Sequence, residues 1–543
     1  MRSCWRTARP AAERSGFWAR FLGPVSKPGL RAPIAGARSG IALTSTCPER
    51  PILNERPPSA DSPPEPDAGP AQDPLPHQAL PDGLLGRLQL SSPRRLALFI
   101  TVALLAGFVT AMVPADAALS PDGRSALFVL VLAAGLWLTE AIPAFAVGIL
   151  VIALQVLLLG DPAGSEPDWE RHVFMLGHPL VWLFFGGLVL AAGMSRTGID
   201  RWLAAHVLAR FADRPARLVC AVAASAFALS MIMSNTATTA MMLALIAPLV
   251  ANRTADDRLA ATLVLAVPVG ANLGGMASLV GTPPNAIAAG MLAEQLDVEV
   301  SFARWFTIGL PPALLLGAAL VGVLLWRLRA RGDQEAALPA LVFEPVRDAP
   351  ASAPWEVLTV ALTLLTTLGL WLSQDLHGLP TPVVAVVPVV LLTATGILDV
   401  NAFRRLSYDV LFLLAGGLAL GQSVHETGLA QWLVGSVATD GLPAIGFAML
   451  MGAMTLVLSN VMSNTAAANV LVPLTLTMTA APGAALTVAL CASAAMALPV
   501  ATPPNALAHA SGRLHSRDFL LVGMVSACIA PPLIAAWVTL VSP

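Results

Sequence analysis

Residues 233–249 read "MSNTATTAMMLALIAPL", and residues 462–474 read "MSNTAAANVLVPL". Each stretch places Ser-Asn-Thr inside a hydrophobic run and follows it with a short apolar segment. Ser, Asn and Thr compete for backbone hydrogen bonds, so they end one helix and cap the next. A polar break in the middle of an apolar run is tolerated at membrane depth only where protein or a cavity surrounds it. The stretches 217–250 and 443–479, which hold these triplets, are long for one membrane span and short for two. They therefore read as re-entrant hairpins of two half-helices.

Composition places most of the chain in lipid. Of its 543 residues 56% are apolar and 12% charged, against about 25% charged in a soluble protein. The formal net charge of −2 says little, because the position of charges matters more than their sum. Cys4, Cys47, Cys220, Cys491 and Cys528 form no close pair and no metal-type spacing, so free thiols are expected. Residues 1–90 differ from the rest: an Arg-rich start without periodicity, then the Pro-rich, acidic "RPPSADSPPEPDAGPAQDPLP". They cannot bury enough apolar surface to fold alone and read as a disordered tail. The first 50 also resemble a transit peptide in composition, whereas no apolar stretch follows to make a secretory signal.

A bilayer core of ~30 Å needs about 20 apolar residues per helix. Eleven segments qualify: 96–114, 125–142, 144–160, 179–195, 260–295, 306–327, 355–374, 380–398, 408–424, 485–510 and 519–541. With both triplet stretches re-entrant and the first span starting inside, the arginines sort by side. Those at 94–95, 196–217, 253–258, 327–331, 347, 404–405, 513 and 517 fall inside, and Arg124, Arg171 and Arg304 fall outside. That split follows the positive-inside rule and predicts a cytoplasmic N-terminus and an external C-terminus.

The chain also repeats itself. "GLWLTEAIPAF" (from Gly135) is echoed by "GLWLSQDLHGL" (from Gly369), and "GGLVLAAGMSRTGIDRWL" (from Gly186) by "GGLALGQSVHETGLAQWL" (from Gly416). The triplets follow, then "LVGTPPNAIAAG" (from Leu279) and "PVATPPNALAHASG" (from Pro499). Under the topology above, the halves run in opposite directions through the bilayer. The expected organisation is a tail at 1–90, a first helix within 91–124, one repeat at 125–327, a cytoplasmic loop at 328–354 and a second repeat at 355–543. The fold class is all-α and polytopic. Inverted repeats with broken helices are typical of secondary transporters, which bind near the midplane between the repeats.

In "TPPNA", Thr282 and Thr502 stand as N-caps, and Pro283 and Pro503 occupy the first helical position, where a missing N–H costs nothing. Each proline also pushes its predecessor out of helical geometry. Four broken helices then expose carbonyls, hydroxyls and amide oxygens, which suit a small hard cation. They also expose free N–H groups at helix N-termini, which suit an oxyanion. No span carries Asp, Glu, Lys or Arg near its centre. Glu140, at a helix end, reads as structural and His509 as a packing or lining residue. Missing acids point to Na⁺ rather than proton coupling.

With those residues stated, the chain resembles the divalent anion/sodium symporter family over about 95–541, on the paired "SNT", "WLTEAIP" (from Trp137), "GTPPNA" and "ATPPNA" motifs. The resemblance implies a homodimer, scaffold and transport domains, an elevator-like motion and Na⁺ as coupling ion, with no other cofactor and no nucleic-acid partner. It implies a first cation site of Ser230, Ser234, Asn235 and Gly281. A second comprises Ser459, Met462, Asn464 and Ala501, with backbone carbonyls supplied by whichever residue stands there. The anion would meet Asn235, Thr236, Thr282, Ser463, Asn464, Thr465, Thr502 and Pro503. Ser459 stands where some bacterial members have Thr, and Thr282 where some have Ser, which leaves the choice of dianion open. The expected activity is symport of a C4-dicarboxylate with Na⁺. The alternatives within the family are a dicarboxylate exchanger or a citrate or sulfate carrier. No nucleophile, metal cluster, continuous polar pore or nucleotide motif points to an enzyme, channel or ATP-driven pump.

Overall fold

The computed structural model describes residues 92–542 apart from 115–117, 165–166, 252, 254–256, 330–351, 437–441 and 480. The tail at 1–90 and most of the 328–354 loop, including Arg331 and Arg347, lie outside the described residues.

The chain begins with α1 (Ser92–Ala111), α2 (Pro121–Thr139) and α3 (Ala144–Leu158). The short α4 (Glu170–Phe174) leads into α5 (Pro179–Thr197), and α6 (Ile199–Arg210) follows. Next come α7 (Pro215–Ser230), α8 (Asn235–Ala251), α9 (Arg258–Ala277), α10 (Pro283–Leu296) and α11 (Phe302–Arg329). The second half opens with α12 (Pro354–Leu372), α13 (Gln374–His377), α14 (Thr381–Val384), α15 (Val386–Ala394) and α16 (Val400–Arg404). It continues with α17 (Tyr408–Glu426), α18 (Leu429–Ser436), α19 (Ala444–Ser459) and α20 (Asn464–Met478). It closes with α21 (Pro482–Ser493), α22 (Pro503–Ala510) and α23 (Ser516–Val541).

This is an all-helical, multi-pass membrane protein. Among the described residues, seven helices are long and apolar enough to cross a membrane unbroken, and six shorter apolar helices accompany them. Expected spans 260–295 and 485–510 each divide, at the TPPN loops. Span 380–398 divides as well, between α14 and α15; the ring of Pro388 clashes with the carbonyl four residues before it, at Val384. Large apolar side chains such as Leu104, Phe108, Leu358 and Leu365 are exposed on the outer helices, where lipid would cover them. The interior is instead built on α9 and α21. Every residue of α9 but Arg258 and Ala261 is buried, as is the whole run Ala484–Ser493 of α21.

Lipid is as apolar as leucine, so helices in it associate by close packing and interhelical hydrogen bonds. The repeated Gly-Gly pairs supply the packing. A Cβ on Gly186 would fall 2.3 Å from the carbonyl oxygen of Ala385, and one on Gly416 would fall 2.2 Å from the Cα of Gly148. The first glycine of each pair thus lets α5 approach the α14–α15 junction, and α17 approach α3. Corresponding helices repeat these partnerships. α7 lies along α9 as α19 lies along α21, and α9 against α11 as α21 against α23. The two TPPN helices cross over: α10 packs on α20 and α21, and α22 packs on α8 and α9.

Candidate functional site at the broken helices

The first triplet begins α8. Ser234 Oγ accepts the backbone N–H of Ala237 at 3.2 Å, and Ser463 Oγ does the same for Ala466 at 3.2 Å at the start of α20. Both serines thus satisfy a donor that a helix start leaves orphaned. One turn upstream, Ser230 Oγ donates to Asn235 Oδ1 at 2.7 Å, and Ser459 Oγ donates to Asn464 Oδ1 at 2.7 Å. The two halves thus build the same serine–asparagine pair across the same bend.

The second pair has a further neighbour. Ser459 Oγ also lies 3.0 Å from the carbonyl oxygen of Ala492. A hydroxyl has one proton, so it can bond only one of these two oxygens, and the other faces it as bare acceptor. Ser459 Oγ thus stands between two neutral acceptor oxygens. Ala492 was not anticipated, because a backbone carbonyl carries no side-chain signature.

Glycine shapes the first site. A Cβ on Gly275 would fall 2.2 Å from Asn235 Oδ1, and a Cβ on Gly281 would fall 2.5 Å from the Gly275 carbonyl oxygen. Asn235, Gly275 and Gly281 are therefore stacked too closely for any side chain between them. The bends are also tied to the adjoining loops. Ser278 Oγ donates to the Met231 carbonyl, and Asn460 Oδ1 accepts the Ala497 N–H at 2.8 Å.

The TPPN loops differ from each other in one respect. Thr282 (φ −152°) and Thr502 (φ −139°) both hold the extended N-cap conformation. Thr502 Oγ1 accepts the Asn505 N–H at 3.3 Å, but Thr282 makes no side-chain cap. The Asn285 N–H goes to the Thr282 backbone carbonyl at 3.2 Å instead, which leaves the hydroxyl unused. Both threonines therefore stand at the expected N-cap position, and only Thr502 caps with its side chain. The asparagine of each motif fixes its loop. Asn285 Nδ2 donates to Gly275 O at 3.0 Å and Ser278 O at 2.7 Å, while Asn505 Nδ2 donates to Met496 O at 3.3 Å and Leu498 O at 3.0 Å. Each amide ties down carbonyls freed where the preceding helix stops. Its recurrence in both copies of "TPPN" was the available signal.

The repeats meet on α9. Asn272 Nδ2 reaches Thr502 Oγ1 at 3.2 Å and Asn505 Oδ1 at 3.3 Å. Gly275, three residues on and hence on the same face, receives Asn235. The first triplet and the second TPPN loop are thereby brought side by side. Thr236 is half-buried and Thr465 buried, and neither side chain bonds to another described residue. Met462 and Ala501 are buried within the second bend and immediately before Thr502, and Pro503 is exposed. Among the described residues no group of three or more His, Cys, Asp or Glu could hold a metal ion. Glu140 occupies a left-handed C-cap (φ 48°) at the end of α2, and His509 packs edge-on against Phe519.

A family profile described as "Citrate transporter" matches residues 126–495. A sodium-dependent dicarboxylate transporter, SdcS, of Staphylococcus saprophyticus is 28% identical over 444 residues, covering 74% of this chain and 84% of its own. An uncharacterised transporter of Haemophilus influenzae is 28% identical over 432 residues, covering 76% of this chain and 91% of its own. The solved YdaH transporter of Alcanivorax borkumensis aligns with 73% of this chain and 96% of its own, at 16% identity and a TM-score of 0.46.

Proposed function

The chain belongs to the citrate transporter family, within the divalent anion/sodium symporters, and on that premise we propose that it couples Na⁺ entry to uptake of a C4-dicarboxylate. Succinate, malate and fumarate are the expected cargo, and the plasma membrane is the expected location, with the N-terminus in the cytoplasm and the C-terminus outside. The observation that carries the reading is the duplicated serine–asparagine contact, 2.7 Å in each half, with the Ala492 carbonyl crowding the second.

The chemistry follows from what the site lacks. Ser230, Ser234, Asn235 and Gly281 offer hydroxyl, amide and carbonyl oxygens for one Na⁺, and Ser459, Met462, Asn464 and Ala501 do so for another. None is charged, so each ion keeps its full field and attracts the dianion beside it. The anion then meets the N-termini of α8, α10, α20 and α22, each carrying roughly half a positive charge. Asn235, Thr236, Thr282, Ser463, Asn464, Thr465, Thr502 and Pro503 supply amides, hydroxyls and shape. Two Na⁺ and one dianion sum to zero, which lowers the cost of moving the loaded site through lipid. Dianion without Na⁺ would be held weakly, and that is the origin of coupling.

Movement is read as an elevator within a homodimer. Helices α7–α11 and α19–α23 pack mainly on one another, and α3, α5, α15 and α17 are joined by close glycine contacts. Among the described residues few polar contacts link the groups, one being Asn469 Nδ2 donating to the Leu413 carbonyl at 3.4 Å. His178 Nε2 lies 2.9 Å from Glu294 Oε1, and Gln295 Nε2 donates to the Gly421 carbonyl at 3.1 Å. Such contacts would break and reform as one group slides past the other.

Uptake of labelled succinate into proteoliposomes, with and without an inward Na⁺ gradient, tests the reading. Gradient-dependent accumulation, competed by malate and fumarate, is expected. Uptake indifferent to Na⁺ but driven by internal dicarboxylate would replace symport with exchange. Competition by citrate or sulfate alone would replace the substrate.

A further inference from the structure

We infer that Asn272 is a positioning residue that sets the Thr502 hydroxyl as a hydrogen-bond donor to one carboxylate of the transported dianion. The inference rests on the reading of the TPPN loops as part of the anion site.

Met496 O and Leu498 O both accept from Asn505 Nδ2, which fixes the orientation of that amide. Asn505 Oδ1 must then face the other way, toward Asn272, and it needs a donor. Asn272 answers with Nδ2, at 3.3 Å from Asn505 Oδ1 and 3.2 Å from Thr502 Oγ1. The orientation of Asn272 is thus dictated by the loop, at the expense of its own Oδ1, which is buried with no partner among the described residues.

Thr502 Oγ1 receives two donors, Asn272 Nδ2 and the Asn505 N–H. A hydroxyl has two acceptor sites and one proton, so both acceptor sites are filled. Only the proton remains, and Thr502 donates it to no other described residue although it is 2% exposed. A buried hydroxyl that can only donate calls for an acceptor. Carboxylate oxygens are acceptors without protons, and a cation would find no lone pair free here.

The first repeat lacks this device. In register with the two TPPN loops, Ala492 corresponds to Asn272 and offers no amide. Thr282 receives no cap and remains free to donate or accept. Symmetry in the motifs therefore conceals a polarity in the site: the second TPPN loop is fixed to hold negative charge, and the first is adaptable.

The test is Na⁺-driven succinate uptake by proteoliposomes of full-length protein carrying Asn272→Ala, Thr502→Val, Thr502→Ser and the Asn272→Ala/Thr502→Val pair. Asn272→Ala should raise the succinate KM roughly tenfold, the scale of one charge-assisted hydrogen bond. The half-saturating Na⁺ concentration should stay as in wild type. Thr502→Ser keeps the hydroxyl and should recover most of the affinity that Thr502→Val loses, and Thr502→Val should raise KM at least as much as Asn272→Ala. The double variant should be no worse than Thr502→Val alone, because both changes act through one hydroxyl. A merely structural loss would instead lower kcat, shift Na⁺ dependence and add in the double variant. Should Asn272→Ala fold poorly, Asn272→Leu keeps the volume without the donor, and succinate protection in a thermal-shift assay gives a second readout. Thr502→Val impaired with Asn272→Ala and Asn272→Leu unchanged, or additive effects, overturns this inference alone. Thr502→Val with an unchanged KM overturns it together with the anion-site reading beneath it.

Discussion

Gly275→Ala separates the fold from the proposed cation site. The new Cβ would lie 2.2 Å from Asn235 Oδ1 and 2.8 Å from its Nδ2. Both are side-chain atoms, so they can yield without moving backbone, and the helices should stay packed. The amide must nevertheless shift by roughly 1 Å to reach ordinary contact, which pulls Asn235 Oδ1 out of the 2.7 Å contact that Ser230 makes with it. A hydrogen bond stretched by that much passes the limit at which it counts as one. Losing one neutral oxygen from a cation should cost about 1.5–3 kcal/mol, by analogy with hydrogen bonds to charged groups. That predicts a half-saturating Na⁺ concentration higher by about tenfold to a hundredfold. The assay is succinate uptake against a Na⁺ series, with thermal unfolding measured on the same preparations. Gly317→Ala is the control, because its Cβ would meet Leu273 at an ordinary 3.6 Å. Wild-type Na⁺ dependence in Gly275→Ala would refute the reasoning, as would a collapse of thermal stability that leaves no folded carrier.

Asn235→Ala and Asn464→Ala should each reduce Na⁺-driven uptake more than about tenfold, since each removes an amide oxygen from one cation site; full activity in both would withdraw the site assignment. Gly416→Ala drives a Cβ to 2.2 Å from the Cα of Gly148 and should lower stability by about 1–3 kcal/mol, read as a lower unfolding midpoint. Gly369→Ala, where a Cβ meets nothing within 4 Å, should leave that midpoint alone. Asp257, just outside α9, feels burial that raises its pKa, but the Ala260 N–H and Arg253 outweigh it and hold the carboxyl below its usual range. A depressed pKa contributes stability above the unfolded-state value, about 3.9, and loses it as pH falls through the folded one. Unfolding midpoints of wild type and Asp257→Asn should therefore differ at pH 6 and converge toward pH 3; a constant gap would contradict this.

Much of this architecture was legible because its breaks are stereochemical. Proline at 283 and 503 cannot continue a preceding helix, and Ser234 and Ser463 cap wherever a helix restarts. These effects are local, so the sequence displays them. What was not legible depends on contact between distant segments. Asn272 bonds to Thr502 only because α22 crosses to α9, and Ala492 enters the second site through its carbonyl. Gly275 matters because Asn235 lies against it, and nothing in "NLGGMA" announces that neighbour. Thr282 stands at the expected N-cap, but there the backbone carbonyl takes the bond that the hydroxyl takes in Thr502. The break between α14 and α15 was likewise hidden, because hydropathy measures apolar length and is blind to interruptions within it.

The exchange of the TPPN helices between halves bears on how the protein is made. α10 emerges from the ribosome long before α20 and α21, the surfaces it finally rests on, and α22 comes nearly last to complete α8 and α9. An N-terminal half alone would hold polar helix ends in the bilayer with nothing opposite them. Maturation therefore waits for almost the entire polypeptide, and premature termination should leave an intermediate that quality-control proteases recognise. The same interlocking means that two separately translated halves, meeting in one membrane, could assemble a working carrier that neither could form alone.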